Sequence, residues 1–334
     1  MRSSSVLILK EQDVTELVNA RDAIDALEGM LVAMEPPQVV NIPRRRASIP
    51  AFTLHSMSAV DSRLGRGAWK QYTTTPQGAR FHVGLYDVAS GALLALIQAD
   101  RLGQLRTGAI SAVAARQLAP QSGIGRVALI GCGWQAQSQL ECLTEVCPAN
   151  SITVFCRDAD KRREFAHTMS QRLGLHVEAA QTAESCVRDA QTLVTMTSAR
   201  QPVVEAGWLA HCRLIIAAGS NQPRNSELPA SLVNHATRIV VDDIEGCQNE
   251  AGDLIMAASQ LVRAETLWER VESLASVISN KTAPQLRAWH NLDEPDTSGP
   301  VLFKSVGMAA SDLALASLVY DRACQKGAGS RIEL

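Results

Sequence analysis

The spacing of apolar and polar positions changes period twice along the chain. Ile24, Leu27, Leu31 and Met34 recur at helical intervals, with Asp13 as a candidate N-cap and Pro36-Pro37 as a stop, which predicts one helix through Met34. From Val39 to Gln98 the runs VVNIP, AFTLHSM, AWKQYTTT, FHVGLYD and ALLALIQ follow one another without helices, and Ser90-Gly91 turns between the last two. That rhythm predicts an antiparallel sheet. Arg106 to Leu118 reads as a helix closed by Pro120. From Arg126 onward VALI, ITVF, HVEA, TLVTM, LIIAAG and RIVVDD alternate with helices starting at Trp134, at Asp158 and near Ala183. Six strands in a doubly wound parallel sheet are expected there.

The stretch from Ala283 to Pro300 is polar and contains prolines, like a connection back to the first domain. Val306 to Cys324 reads as an Ala/Leu-rich helix packed on that domain, which makes the domain discontinuous. The expected fold class is therefore α/β. Residues 121–300 are expected to form a Rossmann-type parallel sheet. Residues 1–120 and 301–334 are expected to form an α+β domain with a mainly antiparallel sheet.

Residues Val127 to Ala136, VALIGCGWQA, sharpen this picture. A strand ends in a glycine turn and a helix begins, as in a dinucleotide-binding element. Gly131 permits the turn, Gly133 lets backbone approach a pyrophosphate, and Ala136 lets the helix pack close to its strand. The first helical amides, Trp134 and Gln135 among them, face the phosphates with the helix dipole behind them.

The 334 residues are 46% hydrophobic and 20% charged, with net charge −2, ordinary for a soluble globular protein and without a case for nucleic acid or a membrane surface. No apolar run reaches the length of a membrane span. The eight cysteines are scattered with no CxxC pair, which predicts reduced thiols in a cytoplasmic protein. No metal-ligand spacing occurs. His55 and His82 sit in strand-like runs and read as satisfied structural residues.

Candidate chemistry lies in cations set among apolar neighbours. Lys70 in GAWKQY and Arg106 in LRTGAIS are lone cations, and a buried one demands an anionic partner such as a substrate α-carboxylate. Arg44 and Arg46, beside Arg45, read as solvated surface charges.

The chain resembles the ornithine cyclodeaminase/mu-crystallin family over nearly its whole length. The matching stretches are PRR (Pro43 to Arg45), Lys70 followed by Pro76, RTGAISAVA (Arg106 to Ala114), IGCGWQA (Ile130 to Ala136), GSN…EL (Gly219 to Leu228) and FKSVGMAASDLA (Phe303 to Ala314). The resemblance implies a homodimer built through the N-terminal domain and a nicotinamide cofactor on the α/β domain. It implies a substrate carboxylate held by Arg45, Lys70 and Arg106, with Thr107 beside the site. Lys304 to Gly307 close the site near the nicotinamide, and Thr197 and Gly219 join the cofactor contacts.

Two departures refine the function. Cyclodeaminases carry aspartate where this chain has Asn221, and an amide cannot take and return protons as ammonia loss requires. Hydride transfer is untouched by that change. At the end of the second α/β strand, VFCRD places Arg157 where an NAD-selective site puts an acid, and an arginine suits the 2′-phosphate of NADPH. The expected activity is NADPH-dependent reduction of a cyclic ketimine, Δ1-pyrroline-2-carboxylate and also Δ1-piperideine-2-carboxylate, with NADH used more weakly and Lys70 and Asn221 in the catalytic centre. The alternatives are an alanine- or opine-type amino-acid dehydrogenase, an ornithine cyclodeaminase, and a non-catalytic crystallin-like protein that binds NADPH.

Overall fold

A computed structural model describes residues 5–35, 37–119, 123–280 and 299–333. Most of the expected Ala283–Pro300 connection lies outside them, as do Pro36 and Pro120. The chain divides into two compact units, residues 1–109 with 308–334 and residues 110–307.

The first unit is a seven-stranded sheet with helices. Strands β1 (Ser5–Leu9), β2 (Val39–Ile49), β3 (Phe52–Asp61), β4 (Arg66–Thr75), β5 (Gly78–Asp87) and β6 (Leu93–Gln98) are joined by a C-terminal strand, Ser330–Glu333. The order is C-terminal strand, β1, β6, β5, β4, β3, β2, with the meander from β2 to β6 antiparallel and β1 parallel to β6. The two outermost additions at the β1 end were not foreseen. The C-terminal helix Ala309–Lys326 packs on β3 and β4, and its alanines allow a close approach. Each large apolar side chain fully buried here, Leu27 and Leu85 among them, contributes about 1.5–3 kcal/mol.

The first expected helix is two: α1 (Glu11–Leu17) and α2 (Ala20–Ala33). Asn19 interrupts them because its side chain accepts from the Asp22 amide and caps the second helix. Asp13 lies inside α1 and reaches back to the Lys10 amide, so it is not the cap. Helix α3 (Asp100–Leu118) starts six residues before the expected Arg106.

The second unit holds a wholly parallel eight-stranded sheet. Its strands are β7 (Gly125–Ile130), β8 (Ala149–Phe155), β9 (Val177–Ala179), β10 (Thr192–Thr195), β11 (Leu214–Ala217), β12 (Arg238–Val241), β13 (Val271–Ser273) and β14 (Val301–Lys304), in the order β13-β12-β14-β11-β10-β7-β8-β9. Helices α4 (Trp134–Val146) and α5 (Ala159–Leu173) follow β7 and β8. The fold is thus α/β, a parallel sheet and a mixed, mostly antiparallel one. Two strands exceed the six expected. The short VLFK segment sits between β11 and β12, where its side chains are all buried, including Lys304. Among the described residues no helix is long and apolar enough to cross a membrane.

Candidate functional site

In the first unit, Lys70 points from β4 to the inner face and is 2% exposed. Its Nζ lies 2.6 Å from Asp312 Oδ1, on the C-terminal helix, and 5.2 Å from the Phe81 ring centroid. Arg106 Nε, on α3, lies 3.4 Å from the same oxygen. Gly103, one turn earlier, leaves room for the ammonium: a Cβ there would stand 3.4 Å from Nζ. Thr107 is buried beside them, its hydroxyl donating to the Gly103 carbonyl. Burial, with the Arg106 and Arg44 charges, pushes the Lys70 ammonium down to about 8, and Asp312 opposes that shift.

Arg45 does not join this group. It is exposed, whereas Arg44 is buried with its guanidinium 5.9 Å from the Tyr72 ring. The cause is a bulge: β2 pairs Ile42 with Ser58 and then Arg45 with Ser56, one residue more than β3 supplies. Pro43 cannot donate to the ladder, which suits it to such a place. In unbroken register Arg45 would oppose His55, on the inner face; the extra residue flips it outward. Arg44 and Arg46, expected in solvent, are instead buried and half-buried. Their charges, after burial itself, push His55 down to about 4. His55 stacks on Tyr72 at 4.0 Å, and Tyr72 on Phe81 at 4.7 Å.

In the second unit the glycine turn after β7 opens a cleft of about 940 Å³. Gly131 has φ 114°, and a Cβ there would stand 2.2 Å from the Met196 carbonyl oxygen. Gly133 is the N-cap of α4 with nothing within 4 Å of where a Cβ would be. As a glycine, Gly133 offers no side chain to cap the helix, whose first residues are Trp134 and Gln135. Ala136 is fully buried. The cleft lining includes Arg157, Lys161 and Arg200 and no carboxylate. Asp158 is turned away, capping α5 through the Asp160 and Lys161 amides. Lys161 was not singled out in the sequence.

Three buried carboxylates brace the carboxyl ends of the strands. Glu227 accepts from Thr197 N and Oγ1, Gly219 N and Ser220 N at 2.7–3.2 Å. Burial raises its pKa. Gly219 must be glycine, since a Cβ would lie 2.1 Å from the Thr197 amide nitrogen. Lys304 spends its ammonium on Asp253, at 2.6 Å, and on the Ser220 carbonyl, at 3.0 Å. Against the cost of burial, Asp253 and Glu227 hold it charged above its ordinary range. Lys304 therefore holds the loop bearing half-buried Asn221. Asp242 accepts from Ser305 Oγ and the Val306 and Gly307 amides.

The sequence offered two signs of buried acids. Asp312 is a lone charge in the segment AASDLALA, and Glu227 stands next to last in the GSN…EL stretch, but neither was given a role. Among the described residues no cluster of three His, Cys, Asp or Glu is placed to hold a metal.

The model of the ornithine cyclodeaminase/mu-crystallin family matches residues 5–327. The chain belongs to that family. A Δ1-pyrroline-2-carboxylate reductase of Bacillus cereus is 28% identical, over 98% of this chain and 100% of its own. The Thermococcus litoralis Δ1-pyrroline-2-carboxylate reductase, solved in complex with NADH and L-proline, superposes with a TM-score of 0.87 at 25% identity, covering 98% of this chain and 100% of that one. An archaeal alanine dehydrogenase dimer with bound NAD gives 0.87 at 26% identity, covering 99% and 100%.

Proposed function

We propose that this oxidoreductase of C=N bonds reduces Δ1-pyrroline-2-carboxylate, and with it Δ1-piperideine-2-carboxylate, to L-proline and L-pipecolate, using NADPH in preference to NADH. The observation that carries the reading is the buried pair Lys70 and Arg106 on one carboxylate, Asp312, with the Arg44 charge acting on Lys70. Two cations on one anion make a site that a substrate carboxylate neutralises. The reductase relatives from Bacillus cereus and Thermococcus litoralis support the same substrate class.

In this reading the first unit binds substrate and forms a homodimer, and the second binds the cofactor. The nicotinamide, when bound, supplies the hydride. The open start of α4 receives the pyrophosphate, and Arg157 with Lys161 receives the 2′-phosphate. Arg44, Lys70 and Arg106 fix the carboxylate, so that the adjacent C=N carbon is presented in one orientation. Asn221, on the loop that Lys304 and Glu227 hold through Ser220, is the hydrogen-bonding amide of the second unit. An amide cannot cycle a proton, so ammonia loss from ornithine is not expected. All eight cysteines are unpaired, which supports a reducing compartment, and we place the protein in the cytoplasm.

The test is oxidation of NADPH and of NADH with each of three substrates, the two cyclic imines and pyruvate with ammonia, together with ammonia release from ornithine, which leaves the cofactor unchanged overall. Turnover with the imines and NADPH is expected. Turnover confined to pyruvate with ammonia would make it an alanine dehydrogenase, and ammonia release from ornithine would make it a cyclodeaminase. Cofactor binding without turnover of any substrate would leave the crystallin-like alternative.

A further inference from the structure

Four of the buried carboxylates fall into two kinds. Glu227, Asp242 and Asp253 each collect backbone amides and so hold loops in place. Asp312 differs. Its Oδ1 meets two side-chain cations, Lys70 at 2.6 Å and Arg106 at 3.4 Å, while its Oδ2 is buried without a hydrogen-bond partner. A carboxylate taken out of water to serve two cations is costly unless those cations are what it is for.

We propose that Asp312 is a positioning residue of the substrate site: one of its oxygens holds the Lys70 ammonium and the Arg106 guanidinium ready for a substrate carboxylate, and its charge keeps the lysine protonated. The proposal rests on the imino-acid reading above. The groups facing Lys70 are Arg106 from α3, Arg44 from β2, the Phe81 ring from β5 and Asp312 from the C-terminal helix. Burial and the two like charges drive the proton off, and Asp312 is the opposing charge. Without it Lys70 would be neutral at lower pH, and a neutral amine neither attracts a carboxylate nor donates three hydrogen bonds to it.

Two opposed effects follow from removing that charge, and they separate by pH. At low pH, where the lysine stays charged in either case, loss of a neighbouring anion does not weaken attraction for the substrate. At higher pH the unprotected lysine loses its proton and affinity falls. A merely structural aspartate would lower activity evenly at every pH.

The experiment compares the pH dependence of kcat/KM for Δ1-pyrroline-2-carboxylate in the unmodified protein and in Asp312→Asn, which keeps the shape. kcat/KM reports the free enzyme, and titration of the imine itself is common to both. The expected result is a basic limb about one to three pH units lower in Asp312→Asn, with little change on the acid side. An even loss with the limb unmoved overturns the proposal. Calorimetric binding of pyrrole-2-carboxylate, whose carboxylate stays charged throughout, should follow the same limbs without turnover. If the unmodified protein neither binds that probe nor reduces the imine, the imino-acid reading falls and this proposal with it. If it binds and the limb does not move, this proposal falls alone. Lys70→Arg covers the case in which Asp312→Asn does not fold: an arginine does not titrate in this range, so the basic limb of pyrrole-2-carboxylate binding should vanish, and its persistence overturns the proposal.

Discussion

At the scale of single residues, the bulge at Pro43 reverses which arginine is buried. Arg44 carries a buried charge among Lys70, Arg106 and His55, and Arg45 is turned outward. Arg44→Ala is expected to cut kcat/KM for the imine by about tenfold to a hundredfold, the range of a lost charge-assisted contact, and Arg45→Ala by less than about threefold. Steady-state kinetics on the two variants decides it; the opposite ranking restores Arg45. In the cofactor cleft, Arg157→Ala should raise the KM for NADPH about tenfold or more and leave that for NADH nearly unchanged. Equal losses with both cofactors would remove the 2′-phosphate assignment. Lys70 and Arg106 were legible in the sequence because a lone cation among apolar residues demands an explanation. Asp312 was not, because what an acid does depends on what faces it, and Lys70 lies 242 residues away in the chain.

At the scale of elements, the two glycines of the β7–α4 turn do different work, and substitution should separate them. Gly131→Ala forces a side chain onto φ 114° and into the Met196 carbonyl, so the melting temperature should fall by at least about 3 °C. Gly133→Ala meets open space at an ordinary φ of −86°, so stability should hold while NADPH binds about tenfold more weakly or worse. Thermal melts and cofactor titration of both variants check this; unaltered NADPH binding by Gly133→Ala would move the pyrophosphate elsewhere. The strands around this turn were readable because each is a short apolar run punctuated by glycine or polar residues. The VLFK strand was not, because its lysine broke the pattern of a buried strand. The Asp253 carboxylate, 51 positions earlier, together with Glu227 makes a lysine tenable in the middle of a sheet. The helix at Asp13 to Met34 split for a similar local reason, since Asn19 offers its side chain to a new helix start in the middle of an unbroken apolar stripe.

At the scale of the whole molecule, β2 is the edge strand of the first sheet. Val40 and Val60 oppose each other across β2 and β3 at 55% and 44% exposure, with Ile42 nearby at 47%. An exposed apolar edge of this length invites a partner. A homodimer is expected, and Ile42→Asp combined with Val60→Asp should shift it towards monomer in light scattering; a stable monomer in the unmodified protein at micromolar concentration would end the idea. The first unit is also built from both ends of the chain, with residues 110–307 spelled out between its parts. During synthesis Lys70 and Arg106 leave the ribosome early, and the acid that faces both is on the C-terminal helix. The first unit is therefore chemically unfinished until residues 110–307 have been translated in full. A chain released early would carry those two cations without the acid they face, in a sheet without its covering helix.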